Sequence, residues 1–146
     1  MSILPIVIGP DNPLLRKKTK PVPKVTKELK TLIADMIETM HEASGVGLAS
    51  PQVARTERVC IAVIDGQVTP LINPVITSRS KETAVDQEGC LSLPNVWLDI
   101  TRPVEITLKF LDVKGKKQER KLRNFDARVV QHEVDHLEGV LIVDYA

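Results

Sequence analysis

The stretch VVQHEVDHLEGVLI, Val129–Ile142, decides how this chain is read. Val129, Val130, Val134 and Leu137 recur at helical intervals, and Gly139 is placed to stop the helix as the residue after its C-cap. Inside this helix lies H-E-x-x-H. His132 and His136 are four residues apart, so both imidazoles fall on one face, one turn apart, as adjacent positions on a tetrahedral metal require. Glu133 stands beside them, able to reach a water at the metal rather than the metal itself. The plainer alternative is two histidines on a polar surface. Against it, the chain has only 3 histidines and two of them fall in this pattern.

Two side chains hold a metal poorly, so a third must come from elsewhere. A third histidine in the pattern H-E-x-x-H-x-x-G-x-x-H would be residue 142; Gly139 fits, but that residue is Ile142. A glutamate on a later helix, as in thermolysin-like proteases, has no room in the short segment after His136. Glu138 is two residues from His136 and points elsewhere. The upstream candidates are Cys90, Cys60 and His41. Cys60 sits in an apolar run and reads as a small core residue. His41 lies near the end of a helix and reads as an exposed side chain. Cys90 stands in QEGCLSLP (Gln87–Pro94), after a glycine that permits close approach. One thiolate and two imidazoles leave a fourth position open for water.

Outward from this stretch, Asn124 is a candidate N-cap for the same helix. The other long helix is Lys27–Ala43, capped by Thr26, with Leu29, Leu32, Ile33, Met36, Ile37 and Met40 as one apolar stripe. Arg58–Asp65 reads as a buried strand and Val68–Ile76 as a second. Val104–Val113 alternates Val104, Ile106, Leu108 and Phe110 with polar neighbours, so it is a half-buried antiparallel strand. A turn at DVKGKK returns it as Gln118–Leu122, and VLIVDYA (Val140–Ala146) closes the chain as a strand. Near the start, Ile3–Val7 reads as extended, and Asp11 caps a short helix through Leu14 and Leu15. TKPVPK (Thr19–Lys24) is a loop, because two close prolines exclude helix. The expected fold is α+β: a single domain, residues 1–146, of antiparallel strands around a central helix bearing H-E-x-x-H, with one further long N-terminal helix.

Composition fits an ordinary globular chain with an aliphatic core: 42% hydrophobic, 27% charged and only 3% aromatic residues. A net charge of +1 offers no electrostatic case for a nucleic-acid or membrane site. The N-terminal apolar stretch is short, broken by Pro5 and without a basic flank, so no signal peptide is expected and the compartment is taken to be the cytoplasm.

HEVDH (His132–His136), the upstream EGCLS (Glu88–Ser92) and GVGLASPQ (Gly45–Gln52), in this order and spacing, resemble the peptide deformylase family over nearly the whole chain. The resemblance implies a metal-dependent hydrolase that removes the formyl group from the N-terminal formyl-methionine of new polypeptides. It implies one divalent ion, Fe(II) in the cell and Zn, Ni or Co as substitutes, on Cys90, His132 and His136. Glu133 becomes the catalytic carboxylate, with Gln52 and the Leu91 N–H as oxyanion donors. Gly45, Val46, Gly47 and Gly89 flank the peptide. Trp97, Phe125, Val129 and the stem of Arg128 surround its side chains. Glu88 and Arg102 pair to support the Cys90 loop, and Asp135 or Gln131 orients a ligand imidazole. Many bacterial members continue into a C-terminal helix linked to ribosome docking. Here GVLIVDYA ends at Ala146, so stable ribosome contact is not expected. The competing readings are an H-E-x-x-H protease, which lacks its third ligand, and a structural metal site, which has no need of Glu133.

Overall fold

The computed structural model describes residues 2–146. Two helices, α1 (Lys27–Glu42) and α2 (Asn124–Leu137), accompany seven strands: β1 (Gly47–Ala49), β2 (Val59–Ile64), β3 (Gln67–Arg79), β4 (Thr83–Cys90), β5 (Leu93–Pro103), β6 (Glu105–Leu111) and β7 (Lys117–Arg123). Five of them form an antiparallel sheet in the order β1-β2-β3-β6-β7, while β4 and β5 form a separate antiparallel pair. The fold is α+β, as expected.

Strand β2 explains how the sheet carries a helix on each face. Its alternate residues Cys60, Ala62 and Ile64 pack with Val130, Val134 and Leu137 of α2. Val59 and Ile61 pack with Leu29, Leu32, Ile33, Met36 and Met40 of α1. A strand covered on both faces has no polar side, which is why VCIAVI is an unbroken apolar run. Met36 and Met40 are fully buried, each contributing about 1.5–3 kcal/mol of hydrophobic stabilisation. Of the residues that β1 and β2 place in the α2 cluster, Ala49, Cys60 and Ala62 are small and Ile64 is the exception. The small residues let α2 lie close to the sheet, and the close packing brings Glu133 against Gly47.

Several expectations are corrected. The β4–β5 hairpin, which carries Glu88 and Cys90, was not foreseen as strands. The closing segment is not a strand: Ile142–Tyr145 form a 3-10 turn whose Asp144 carboxylate accepts the Leu141 N–H. Asn12, not Asp11, caps the first short helix, accepting the Leu14 N–H at 3.0 Å. Asn124 is not the cap of α2. It is the first helical residue, at φ +54°, and Arg123 is the N-cap. Ile3–Val7 joins no strand; the Val7 N–H donates to the Gln52 carbonyl at 2.7 Å. Strand β3 runs through Pro70 and past Pro74, beside which the register shifts between Ile72 and Val75. A proline supplies no ladder donor, so a bulge there is the expected accommodation.

Gly139 does end α2. Its N–H donates to the His136 carbonyl at 3.1 Å and the Val140 N–H to the Asp135 carbonyl at 2.9 Å, the paired bonds of a Schellman turn. Its φ is +74°, and a Cβ there would lie 2.5 Å from the Arg16 carbonyl oxygen. Gly66 has a similar φ of +75° with no atom within 4 Å of that point. Gly139→Ala is therefore expected to destabilise the chain by about 2 kcal/mol or more, and Gly66→Ala by only about 1 kcal/mol. Urea denaturation of the two variants checks this; equal losses would show that the Arg16 contact is irrelevant.

Candidate metal centre

The last residue of β4 and one face of α2 converge. Cys90 Sγ and one ring nitrogen each from His132 and His136 all lie within 4.8 Å of one another. Cys90 Sγ is 3.4 Å from His136 Nε2. Metal–sulfur and metal–nitrogen bonds of ordinary length at a tetrahedral angle would set these atoms about 3.5 Å apart. The donor set of one sulfur and two imidazoles suits a divalent transition metal, and the Cys90–His136 separation matches that spacing. Cys60 and His41 do not join it. Cys60 is fully buried in β2, where burial pushes its thiol well up, and His41 is exposed at the end of α1.

The imidazoles differ in support. His132 Nδ1 lies 3.0 Å from Glu88 Oε1. A carboxylate only accepts, so Nδ1 carries the proton and Nε2 is left for a metal. The residue that orients this imidazole is thus Glu88. Asp135 and Gln131, the expected partners, are engaged elsewhere. Asp135 accepts from Arg102 Nη1 at 3.0 Å and from the Tyr145 hydroxyl at 2.7 Å. Gln131 Nε2 donates to the Pro103 and Ala127 carbonyls. His136 is almost completely buried and its Nδ1 has no partner among the described residues. Burial, the His132 charge and Arg102 hold it neutral, the form that binds a metal. Burial opposes charging His132, but Glu133, Cys90 and Glu88 outweigh it and raise the group to about 10.

Glu88 does pair with Arg102, at 2.6 and 2.9 Å, and both are buried. A second guanidinium, unforeseen, joins them: Arg128 Nη1 donates to Glu88 Oε2 at 2.6 Å. Burial works to raise the Glu88 carboxyl, yet the bonds from His132 and Arg102 hold it down at about 2.

Glu133 is buried beside Gly47, where a Cβ would lie 2.5 Å from Glu133 Oε2; only glycine leaves that space. Its Oε1 has no hydrogen-bond partner among the described residues. Burial pushes this carboxyl up to about 7, the Glu88 charge adding to the rise and His132 opposing it. Gln52 is also buried. Its Oε1 accepts the Ala49 N–H at 3.0 Å, so its amide nitrogen must face the other way, 3.0 Å from Ser92 Oγ and 3.8 Å from Cys90 Sγ. Ser92, fully buried, was not singled out in the sequence.

A cavity of about 480 Å³ opens over these groups. Cys90, Leu91, His132 and Glu133 line it, as do Gly45, Val46 and Gly47. Gly89 and Trp97 line it too, with the indole packed directly against Gly89, and α2 contributes Phe125, Arg128 and Val129. His136 and Arg102 lie outside its lining. Val46, Trp97 and Phe125 are 45%, 64% and 57% exposed, so the lining carries apolar side chains out to solvent. No helix among the described residues is long and apolar enough to cross a membrane.

Comparison with known proteins bears on this site. A model of the polypeptide deformylase family matches residues 3–146. A peptide deformylase of Nitrosococcus oceani is 45% identical over 148 residues, covering 99% of this chain and 87% of the relative. The crystal structure of peptide deformylase from Thermotoga maritima superposes with a TM-score of 0.95 at 42% identity, covering 99% of this chain and 98% of the other. The Met-Ala-Ser-bound crystal structure of a class I type b peptide deformylase from Acinetobacter baumannii gives 0.95 at 33% identity, covering 100% of both chains.

The Glu88 network makes a separable prediction. Glu88→Gln leaves two buried guanidinium groups short of their counter-charge. It is expected to destabilise the chain by about 3–5 kcal/mol and to weaken divalent-metal binding about 10–100-fold. Glu119→Gln removes an exposed partner of Lys109, 3.6 Å away, and is expected to change stability by less than about 0.5 kcal/mol. Chemical denaturation and metal titration test both variants; an unaffected Glu88→Gln protein would show that the network supports nothing.

Proposed function

The chain belongs to the polypeptide deformylase family and is an enzyme with deformylase activity, and from that premise we propose how its own residues act. Residues 1–146 work as one catalytic domain in the cytoplasm. The domain removes the formyl group from the N-terminal formyl-methionine of new polypeptides and releases formate. Cys90, His132 and His136 hold one divalent ion, Fe(II) in the cell. The observation that carries this reading is the convergence of those three donor atoms within 4.8 Å, next to a buried carboxylate with an unpartnered oxygen.

A metal at this site supplies Lewis acidity and lowers the pKa of water, so that a good nucleophile exists at neutral pH. Glu133 Oε1, bonded to nothing else, takes the proton of the attacking water. The water oxygen then bonds to the formyl carbon. The oxyanion that forms is received by the Gln52 amide nitrogen, held in orientation by the Ala49 N–H, and by the Leu91 N–H next to Cys90. When the C–N bond breaks, Glu133 returns its proton to the departing amine, leaving formate and a free N-terminus.

The peptide has a natural place to lie. β1 is an outer strand of the five-stranded sheet, paired only with β2, so its other edge is open to an added strand. Gly45, Val46 and Gly47 lie at that edge and Gly89 also lines the cavity. Val129, Phe125 and the stem of Arg128 receive the methionine side chain, with Trp97 beside the residues that follow. The A. baumannii deformylase structure with bound Met-Ala-Ser supports choosing formyl-Met-Ala-Ser as the test substrate.

Protein purified without oxygen is expected to release formate from formyl-Met-Ala-Ser. A chelator should abolish release, and added iron or nickel should restore it. Glu133→Gln should keep its metal while kcat falls at least about 10²–10⁴-fold. Cys90→Ser should lose metal content. Full turnover by Glu133→Gln, or an unchanged metal content in Cys90→Ser, would each remove that residue from its assigned role.

A further inference from the structure

Next to the cavity over Cys90, His132 and Glu133 lies a second of about 200 Å³. Its lining includes Ala84 and Val85 of β4, Pro103 at the end of β5, Val104, and Asn124 at the start of α2. Two residues line both cavities, Phe125 and Arg128. They are nearly one turn apart on α2. Phe125 is more than half exposed, whereas Arg128 is 7% exposed, so Arg128 is the buried part of the boundary.

Arg128 is also pinned. Nη1 donates to Glu88 Oε2 at 2.6 Å and to the Ile100 carbonyl at 2.9 Å. Nη2 donates to the Ala84 carbonyl at 2.9 Å. The acceptors belong to β4 and β5 alike, so the guanidinium spans the hairpin from within. Such a head group cannot swing aside without leaving buried acceptors unmet. Its hydrocarbon stem is what remains to face an incoming apolar side chain. The arrangement is a fixed wall, not a gate.

We propose that Arg128 determines the depth of the side-chain pocket by closing it off from the second cavity. The wild-type pocket thus ends at a length suited to methionine, and opening the wall yields a longer pocket for unbranched aliphatic side chains. This inference rests on the deformylase reading. Exclusion by a rigid wall is a common source of discrimination, because a longer chain must displace packed atoms.

The test is a ratio: kcat/KM for formyl-(2-aminooctanoyl)-Ala-Ser divided by kcat/KM for formyl-Met-Ala-Ser, on one preparation. Loss of folded or metal-loaded protein cancels in it. A single methylene in an apolar pocket changes specificity by roughly 10–200-fold, so Arg128→Ala is expected to raise the ratio about tenfold or more. Arg128→Met keeps a straight stem but loses the hydrogen bonds that pin it, and its ratio is expected to lie between those of wild type and Arg128→Ala. Phe125→Ala leaves every Arg128 hydrogen bond in place and removes the outer part of the boundary. Its ratio is expected to rise at least about threefold, and it decides the matter if Arg128→Ala does not fold. An unchanged ratio in Arg128→Ala, or in Phe125→Ala where that variant decides, overturns the proposal. So does a ratio in Arg128→Met above that in Arg128→Ala, since the longer stem would then not act as a wall. If wild-type protein releases no formate from either substrate, the deformylase reading fails first and this inference with it.

Discussion

The Glu88 carboxylate accepts from four donors: Nε and Nη2 of Arg102, Nη1 of Arg128 and Nδ1 of His132. All of these side chains are buried or nearly so. Replacing buried ion pairs by apolar groups is often neutral or stabilising, so the network's value lies in placement rather than in net stability. It binds β4, β5 and α2 through one carboxylate. Once Glu88 is held, His132 has a fixed tautomer and ring plane, and Cys90, two residues further on, has a fixed approach. Asp135 and the Tyr145 hydroxyl extend the same network to the closing 3-10 turn.

The sheet supplies the other half of the constraint. Glu133 reaches its position because the parts of β1 and β2 beneath it carry small residues. Gly47 in β1 is the tightest point, since any side chain there would meet the Glu133 carboxylate. Cys60 and Ala62 continue the low surface along β2. The short side chains of this floor therefore have a chemical consequence: they set how deep a carboxylate can sit below the open cavity.

Periodicity exposes those elements whose burial is periodic. The α1 stripe, the unbroken run of β2 and the alternation of β6 are each legible because one pattern of contact repeats along them. The grouping of Cys90, His132 and His136 is legible in part, because helical spacing pairs the two histidines and the glycine before Cys90 favours it among the upstream candidates. The β4–β5 hairpin is hidden for the opposite reason. Thr83–Gln87 are exposed on both faces, so β4 has no apolar alternation until Glu88. Asp135 or Gln131 was expected to orient a ligand imidazole, because helix position alone says nothing about Glu88, 44 residues upstream of His132, which it contacts. Arg128 lines the cavity, but the destination of its head group depends on carbonyls of a hairpin that was itself unseen. VLIVDYA failed as a strand because an apolar run does not distinguish a strand from a tightly packed turn. Leu141 and Ile142 are buried under the hairpin with Leu15, Leu93 and Ile100.

The hairpin and helix that share the metal trio are also separated in time. His136 lies 46 residues after Cys90, an interval of about 2–9 s at ordinary rates of synthesis. Throughout that interval a growing chain carries the thiol of Cys90 and the carboxylate of Glu88 without the imidazoles that later surround them. The thiol is then a free, oxidisable group, and any ion it captures is held by a single strong ligand. Completion of the three-donor group therefore waits on α2.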